Sequence, residues 1–166
     1  ALGYTPIPPD DASASRMAEG NLHEGDVVAR LVEDGWTVER QQEEVNIYLR
    51  EGYGSFLPWQ VQGHLDGVIT TDTFPRPRVL EIKAMGAAPW KEFQAKRWDA
   101  GGLIDRYKWQ LSCYMLATGY EALFVTKNRN TGEITQHGVE MPFHSLDEIA
   151  ERVSYIEDHV ARGVLP

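Results

Sequence analysis

Gly63-His64-Leu65-Asp66-Gly67-Val68-Ile69 and, past a proline-rich loop, Val79-Leu80-Glu81-Ile82-Lys83 form the stretch whose reading decides the fold. Both runs are apolar and β-branched, and the turn formers of Thr70 to Pro77 separate them, so the pattern predicts two antiparallel strands, Val61 to Ile69 and Val79 to Lys83. Side chains alternate along a strand, so Glu81 and Lys83 share a face about 6.6 Å apart while Leu80 and Ile82 point into the core. Pairing the strands brings Asp66 beside Glu81. Two carboxylates with an ammonium at the rim suit Mg²⁺ or Mn²⁺, which prefer oxygen ligands and leave positions for water and phosphate. That arrangement suits phosphodiester cleavage. On an exposed sheet the same residues form only a solvated ion pair worth under about 1 kcal/mol.

Outward from this stretch the pattern predicts helices and strands in a definite order. Residues 1–11, with three prolines, read as an extended arm. A helix capped by Asp11 or Ser13 runs to about Asp34, with Gly35 just beyond it, and Gly20 marks a possible start or bend. Trp36 to Val38 and Val45 to Leu49 read as strand, with Glu39 to Glu44 as an exposed part of it, and Gly52-Tyr53-Gly54 reads as a turn. Leu103 to Thr118 is a second helix ended by Gly119, and on it Gln110 and Tyr114 stand one turn apart. Ala122 to Thr126 and Ile134 to Val139 form a hairpin, and Ser145 with Glu148 has capping-box spacing for a last helix.

The 166 residues make one domain, 1–166, with room for a core that needs no staple. The single cysteine, Cys113, excludes an internal disulfide and a four-thiolate iron–sulfur cluster within the chain, and points to a reducing, intracellular setting. No apolar run has the length of a membrane span. The net charge of −9 argues against a general nucleic-acid coat, yet Phe74 to Asn130 carries ten Lys or Arg against five Asp or Glu. A local basic face of this kind can bind phosphate on an acidic protein.

Taken together, Gly20-x-x-His23, Gly63-x-x-Asp66-Gly67, Glu81-x-Lys83 and Gln110-x-x-x-Tyr114 stand in an order that resembles the PD-(D/E)XK nuclease superfamily, and within it the RecB-like exonuclease branch. The resemblance spans about Gly20 to Tyr114. It implies a mixed α/β fold with a restriction-endonuclease-like core, a central mixed sheet flanked by helices in the order αβββαβ. It also implies that His23, Asp66 and Glu81 are metal ligands for one or two Mg²⁺ or Mn²⁺ ions, with the Ile82 carbonyl as a further oxygen. Lys83 then orients water or stabilises transition-state charge, and Gln110 and Tyr114 lie beside the metal. Glu24 competes with His23, because a helical glutamate serves this place in other members. A lone cysteine makes this a member without an iron–sulfur cluster.

The implied activity is metal-dependent exonuclease cleavage of DNA from a free end, in recombination, repair or phage DNA processing, with any unwinding left to a helicase partner. A structure-specific or nicking endonuclease on the same core, or a catalytically silent nucleic-acid-binding module, are the alternatives. Trp90, Lys91, Lys96 and Arg97, with Phe93 and Trp98, mix rings and cations as single-strand binding surfaces do, and equally as a helix that buries its rings. Lys127 and Arg129, at the hairpin turn, are candidate phosphate contacts.

Overall fold

The computed structural model describes residues 10–51 and 55–164. Most of the expected N-terminal arm and the Gly52-Tyr53-Gly54 turn lie outside these residues. Helix α1 spans Asp11–Glu33, so the arm's last residue is already helical, and its cap is Asp10, whose carboxylate accepts the Ser13 N–H at 2.7 Å. The helix runs unbroken through Gly20 and ends before Gly35, where φ is +87°.

A mixed five-stranded sheet follows, in the order β1 (Thr37–Glu39), β4 (Gly67–Thr70), β5 (Arg78–Met85), β6 (Glu121–Asn128), β7 (Ile134–Val139). All neighbours are antiparallel except β5 and β6, which pair in parallel. That crossover contains α2 (Ala87–Lys96), a 3-10 turn (Arg97–Asp99) and α3 (Leu103–Thr118). Strands β2 (Glu44–Glu51) and β3 (Ser55–His64) form a separate hairpin, and α4 (Leu146–Ala161) closes the described chain. This is a central mixed sheet flanked by helices, the architecture implied by the resemblance. Among the described residues no helix is long and apolar enough to cross a membrane.

Alternation along β5 sorts the two layers. Val79 and Met85 face a core completed by Phe93, Ile104, Leu111 and Tyr114 from α2 and α3. Leu80 and Ile82 face Val27 and Leu31 of α1. Glu81 and Lys83 share the parity of Val79 and Met85, so they enter the α3 side of the sheet. A third cluster joins α4 and α3 to the hairpin through Ile149 and Ile47, with Trp109 and Val61 packed on it.

The expected single strand from Val61 to Ile69 is divided. The Leu65 carbonyl accepts the Gln42 N–H at 2.8 Å and the Leu65 N–H reaches the Glu43 carbonyl at 3.0 Å, so the chain leaves the β2–β3 hairpin before β4 begins. Glu39 to Glu44 is correspondingly no continuous strand but a turn between β1 and β2, with Arg40 and Gln42 at positive φ and an Arg40–Glu43 ion pair. The division leaves Asp66 in the gap between two sheets.

Candidate active site

Beyond the Gly67–Leu80 pair, β4 parts from β5, and Asp66 takes over the edge it leaves. The Ile82 N–H donates to Asp66 Oδ2 at 2.7 Å, a side-chain substitute for the missing ladder bond. Within an antiparallel ladder the N–H and C=O of one residue face the same neighbour, so the Ile82 carbonyl opens toward the same fork. Glu81 is fully buried, and its Oε2 has no hydrogen-bond partner. Its polar neighbour is the Lys83 ammonium, which forms an ion pair with Glu81 Oε1. The same ammonium stands 5.5 Å from the centre of the Tyr107 ring.

Burial drives Glu81 up to about 8, with the charge of Lys83 opposing the shift and Asp66 and Glu24 reinforcing it. Burial likewise lifts Asp66 above the usual carboxylate value, against the pull of Lys83 and of the Ile82 N–H. Lys83 experiences burial in the opposite sense, but Glu81 and Asp66 outweigh it and hold the ammonium above the ordinary lysine value. The fork is therefore a desolvated site carrying more acid than its one cation neutralises.

Helix α3 supplies the wall over this fork. Gln110 Nε2 donates to the Tyr114 hydroxyl at 3.1 Å, and Tyr114 is 7% exposed. Burial raises Tyr114, the Gln110 hydrogen bond lowers it, and the charges of Glu81 and Asp66 raise it further, which ties this hydroxyl electrostatically to the carboxylates. Gly63 is required by that wall: a Cβ there would lie 2.6 Å from Tyr114 Cε1 and 2.9 Å from its hydroxyl. Tyr107, one further turn back on α3, has its hydroxyl raised by burial and influenced in turn by Lys83, Glu81, Arg106 and Arg129. Tyr107 is a neighbour of the fork that the sequence motifs do not include. Its seven-residue spacing from Tyr114, two helical turns on the same face, was the available signal.

On α1 the two competing residues diverge. Glu24 accepts a hydrogen bond from Gln42 at 3.1 Å. Burial and the negative charge of Asp66 raise its carboxyl, and Lys83 partly offsets them, so Glu24 lies within the field of the fork. His23 turns instead toward Glu19, at 3.7 Å. Successive helical residues are rotated by about 100°, and packing of Val27 and Leu31 on the sheet aims Glu24 at the fork.

The expected nucleic-acid contacts divide in the same way. Trp90 packs against the core beside buried Phe93 and partly buried Trp98, so the rings of this segment serve α2 packing. Lys91, Lys96 and Arg97 remain exposed, Lys96 paired with Glu92 at 2.9 Å and Arg97 bonded to Gln94 and His137. Lys127 is no surface cation: it is buried, and Asp26 Oδ2 holds its ammonium at 2.7 Å. Its place in β6 turns it toward α1 alongside Val125 and Leu123. Arg129 is half-exposed at the C-terminal end of β5, where its N–H donates to the Met85 carbonyl at 2.9 Å and its guanidinium lies 3.4 Å from Glu19.

Among the described residues no three His, Cys, Asp or Glu side chains converge closely enough to hold a metal ion by themselves. The donor set at the fork is instead two carboxylates and a backbone carbonyl, the Glu81 carboxylate having both oxygens buried and one of them, Oε2, without a partner. Such a set fits a hard divalent cation that keeps water and phosphate oxygens in its remaining positions.

The fold and fork define an α/β protein with an acidic centre at a parting of two strands. No family model matches the chain, and no curated protein matches it. Among solved structures it is similar to the crystal structure of SSO0001, with a TM-score of 0.56 and 17% sequence identity over 85% of this chain and 58% of that one. The chain thus spans less than two thirds of that neighbour's length. At this identity the likeness shows the fold alone.

Proposed function

We propose that this chain is a Mg²⁺- or Mn²⁺-dependent deoxyribonuclease of the PD-(D/E)XK kind, acting as an exonuclease on DNA ends. The observation that carries the reading is Glu81, a carboxylate buried at 0% exposure whose Oε1 is paired with Lys83 and whose Oε2 has no partner, beside Asp66 where β4 and β5 part. Burying a carboxylate with one oxygen unpartnered is costly or forces it to neutralise, so a residue serving packing alone would be apolar here. A cation site gives the free oxygen its partner.

Asp66, Glu81 and the Ile82 carbonyl would hold the ion, with Glu24 the better placed of the two helical candidates. Held there, a divalent ion would lower the cost of forming hydroxide at neutral pH and would neutralise charge on the scissile phosphate. Lys83 stabilises negative charge that develops on the phosphate oxygens, a task for which a fixed ammonium in a desolvated site is suited. The Gln110–Tyr114 pair lines the approach to that centre and orients the DNA end or Lys83. The support for action on ends is the Gln110-x-x-x-Tyr114 pattern together with its placement beside the carboxylates.

Digestion of end-labelled linear DNA beside matched closed-circular DNA, in Mg²⁺, Mn²⁺ or EDTA, tests the reading with wild type and Lys83→Ala. Metal-dependent loss of the linear substrate alone, absent in the variant, is the expected result. Cutting of the circle would replace the exonuclease by an endonuclease on the same core. Absence of cutting with every metal would overturn the enzymatic reading.

A further inference from the structure

A small cleft lies between the β2–β3 hairpin and α3, beside Tyr114. Val45, Ile47 and Val61 of the β2–β3 hairpin form its floor, and Gln110, Cys113 and Tyr114 of α3 form its roof. Gly63 belongs to the same floor, and because it has no side chain the Tyr114 ring settles directly on the hairpin backbone. The volume is about 120 Å³. For scale, an apolar cavity of about 150 Å³ in another protein accommodates benzene. This cleft is smaller than that cavity but open on one side, so a single ring can enter it while a two-ring base is left largely outside.

Its chemistry is that of a ring with a polar edge. The floor is mainly aliphatic, with Gln62 beside it, and the α3 side carries a polar pair in which Gln110 Nε2 donates to the Tyr114 hydroxyl. That bond leaves the Tyr114 O–H proton and the Gln110 carbonyl oxygen to meet a partner. Tyr114 is also a wall of the fork, so an occupant of the cleft sits next to the candidate scissile position.

We propose that this cleft is a nucleobase pocket, taking the base adjacent to the scissile phosphate and accepting a pyrimidine more completely than a purine. The identity of the substrate rests on the nuclease reading above. A single-stranded end meets this requirement, because its terminal bases are free to leave the stack. Seating the base between hairpin and α3 fixes the register of the chain over Asp66 and Glu81. Closed duplex, whose bases stay paired, lacks that anchor.

Cys113 is the chain's one cysteine and lies in the roof, so its alkylation by iodoacetamide reads occupancy directly. Lys83→Ala protein in Mg²⁺ is mixed with an oligothymidylate, an oligodeoxyadenylate or an abasic strand of equal length, and binding is followed separately by fluorescence anisotropy. Oligothymidylate is expected to slow alkylation about fivefold at four times its Kd, since the protection factor is 1 + [L]/Kd, while the abasic strand binds without protecting. Equal protection by the bound thymidine and abasic strands, or none by either, overturns the pocket and leaves wild-type cleavage to stand or fall by the digestion assay. Thymidine-specific protection with a wild type that cuts nothing keeps the pocket and removes the nuclease. Failure of every strand to bind overturns both.

Discussion

Gly63 and Tyr114 meet at a distance no side chain on residue 63 could share. A Cβ 2.6 Å from Tyr114 Cε1 has to push the ring off the hairpin or the hairpin off α3. Overpacking of this kind costs about 1–3 kcal/mol, so Gly63→Ala should lower the urea midpoint by a corresponding amount, with Gly63→Ala/Tyr114→Leu recovering much of the loss. An unchanged midpoint in the single variant would show that the contact is not tight. Tyr107 is argued from a different distance, 5.5 Å between its ring centre and the Lys83 ammonium. A cation over a ring is worth about 0.5–2 kcal/mol, so Tyr107→Leu should reduce kcat by about 2–30-fold with KM little moved, and Tyr107→Phe should restore it. A Phe variant as poor as Leu would point to the hydroxyl instead. Asp66, Glu81 and Lys83 were legible in the sequence because charged residues interrupt apolar strands there at revealing positions. Tyr107 was not, because an aromatic at helical spacing has the same pattern whether it faces a core or a cation. His23 and Glu24 could not be separated either, since the rotation of α1 is set by how Val27 and Leu31 pack on the sheet.

Elements whose limits depend on local chemistry match their sequence reading closely. Helix α3 covers Leu103–Thr118 and stops at Gly119, where φ is +71°. Helix α4 begins on a reciprocal capping box between Ser145 and Glu148. The division between β3 and β4 was hidden, because apolar character runs from Val61 to Ile69 and the break is made by backbone bonds to Gln42 and Glu43, more than twenty residues earlier. The contact of β7 with α2 is likewise tertiary and has a measurable consequence. There His137 packs edge-on against Phe93, bonds to Thr135 and faces the Arg97 guanidinium, and burial followed by that positive charge pushes the imidazole down to about 4. Between about 6.5 and 4 the unfolded chain takes up a proton that the folded one resists, so this group's stabilising contribution is complete above the upper value and is lost as pH falls through the window. Glu81, raised to about 8, acts in the opposite sense over the same range, so the test is a difference: between pH 7.5 and pH 5 the urea midpoint of His137→Gln should gain relative to that of the wild type. An identical pH dependence in the variant would remove His137 as a cause.

At the scale of the molecule, a net charge of −9 coexists with a proposed polyanionic substrate, so binding has to rest on local cations. Arg129 is half-exposed near the end of β5, and its charge reaches Tyr107 at the fork. Replacing one phosphate-contacting cation lowers the slope of log K against log salt by about 0.7 on a single strand, and Arg129→Ala should do so. An unchanged slope would place the DNA path elsewhere. Lys127 illustrates why composition alone misleads here: it contributes to the basic count of the segment, yet Asp26 neutralises it inside the fold. The whole architecture can be understood as two layers brought together over one parting of strands, where Asp66 replaces a ladder bond and Glu81 is buried with Oε2 unpartnered. If that fork holds a divalent cation, calorimetric titration with Mn²⁺ should give a binding isotherm for wild type that disappears in Asp66→Ala while the circular dichroism spectrum stays that of the folded protein. Equal Mn²⁺ affinity in the two proteins would contradict the account at its centre.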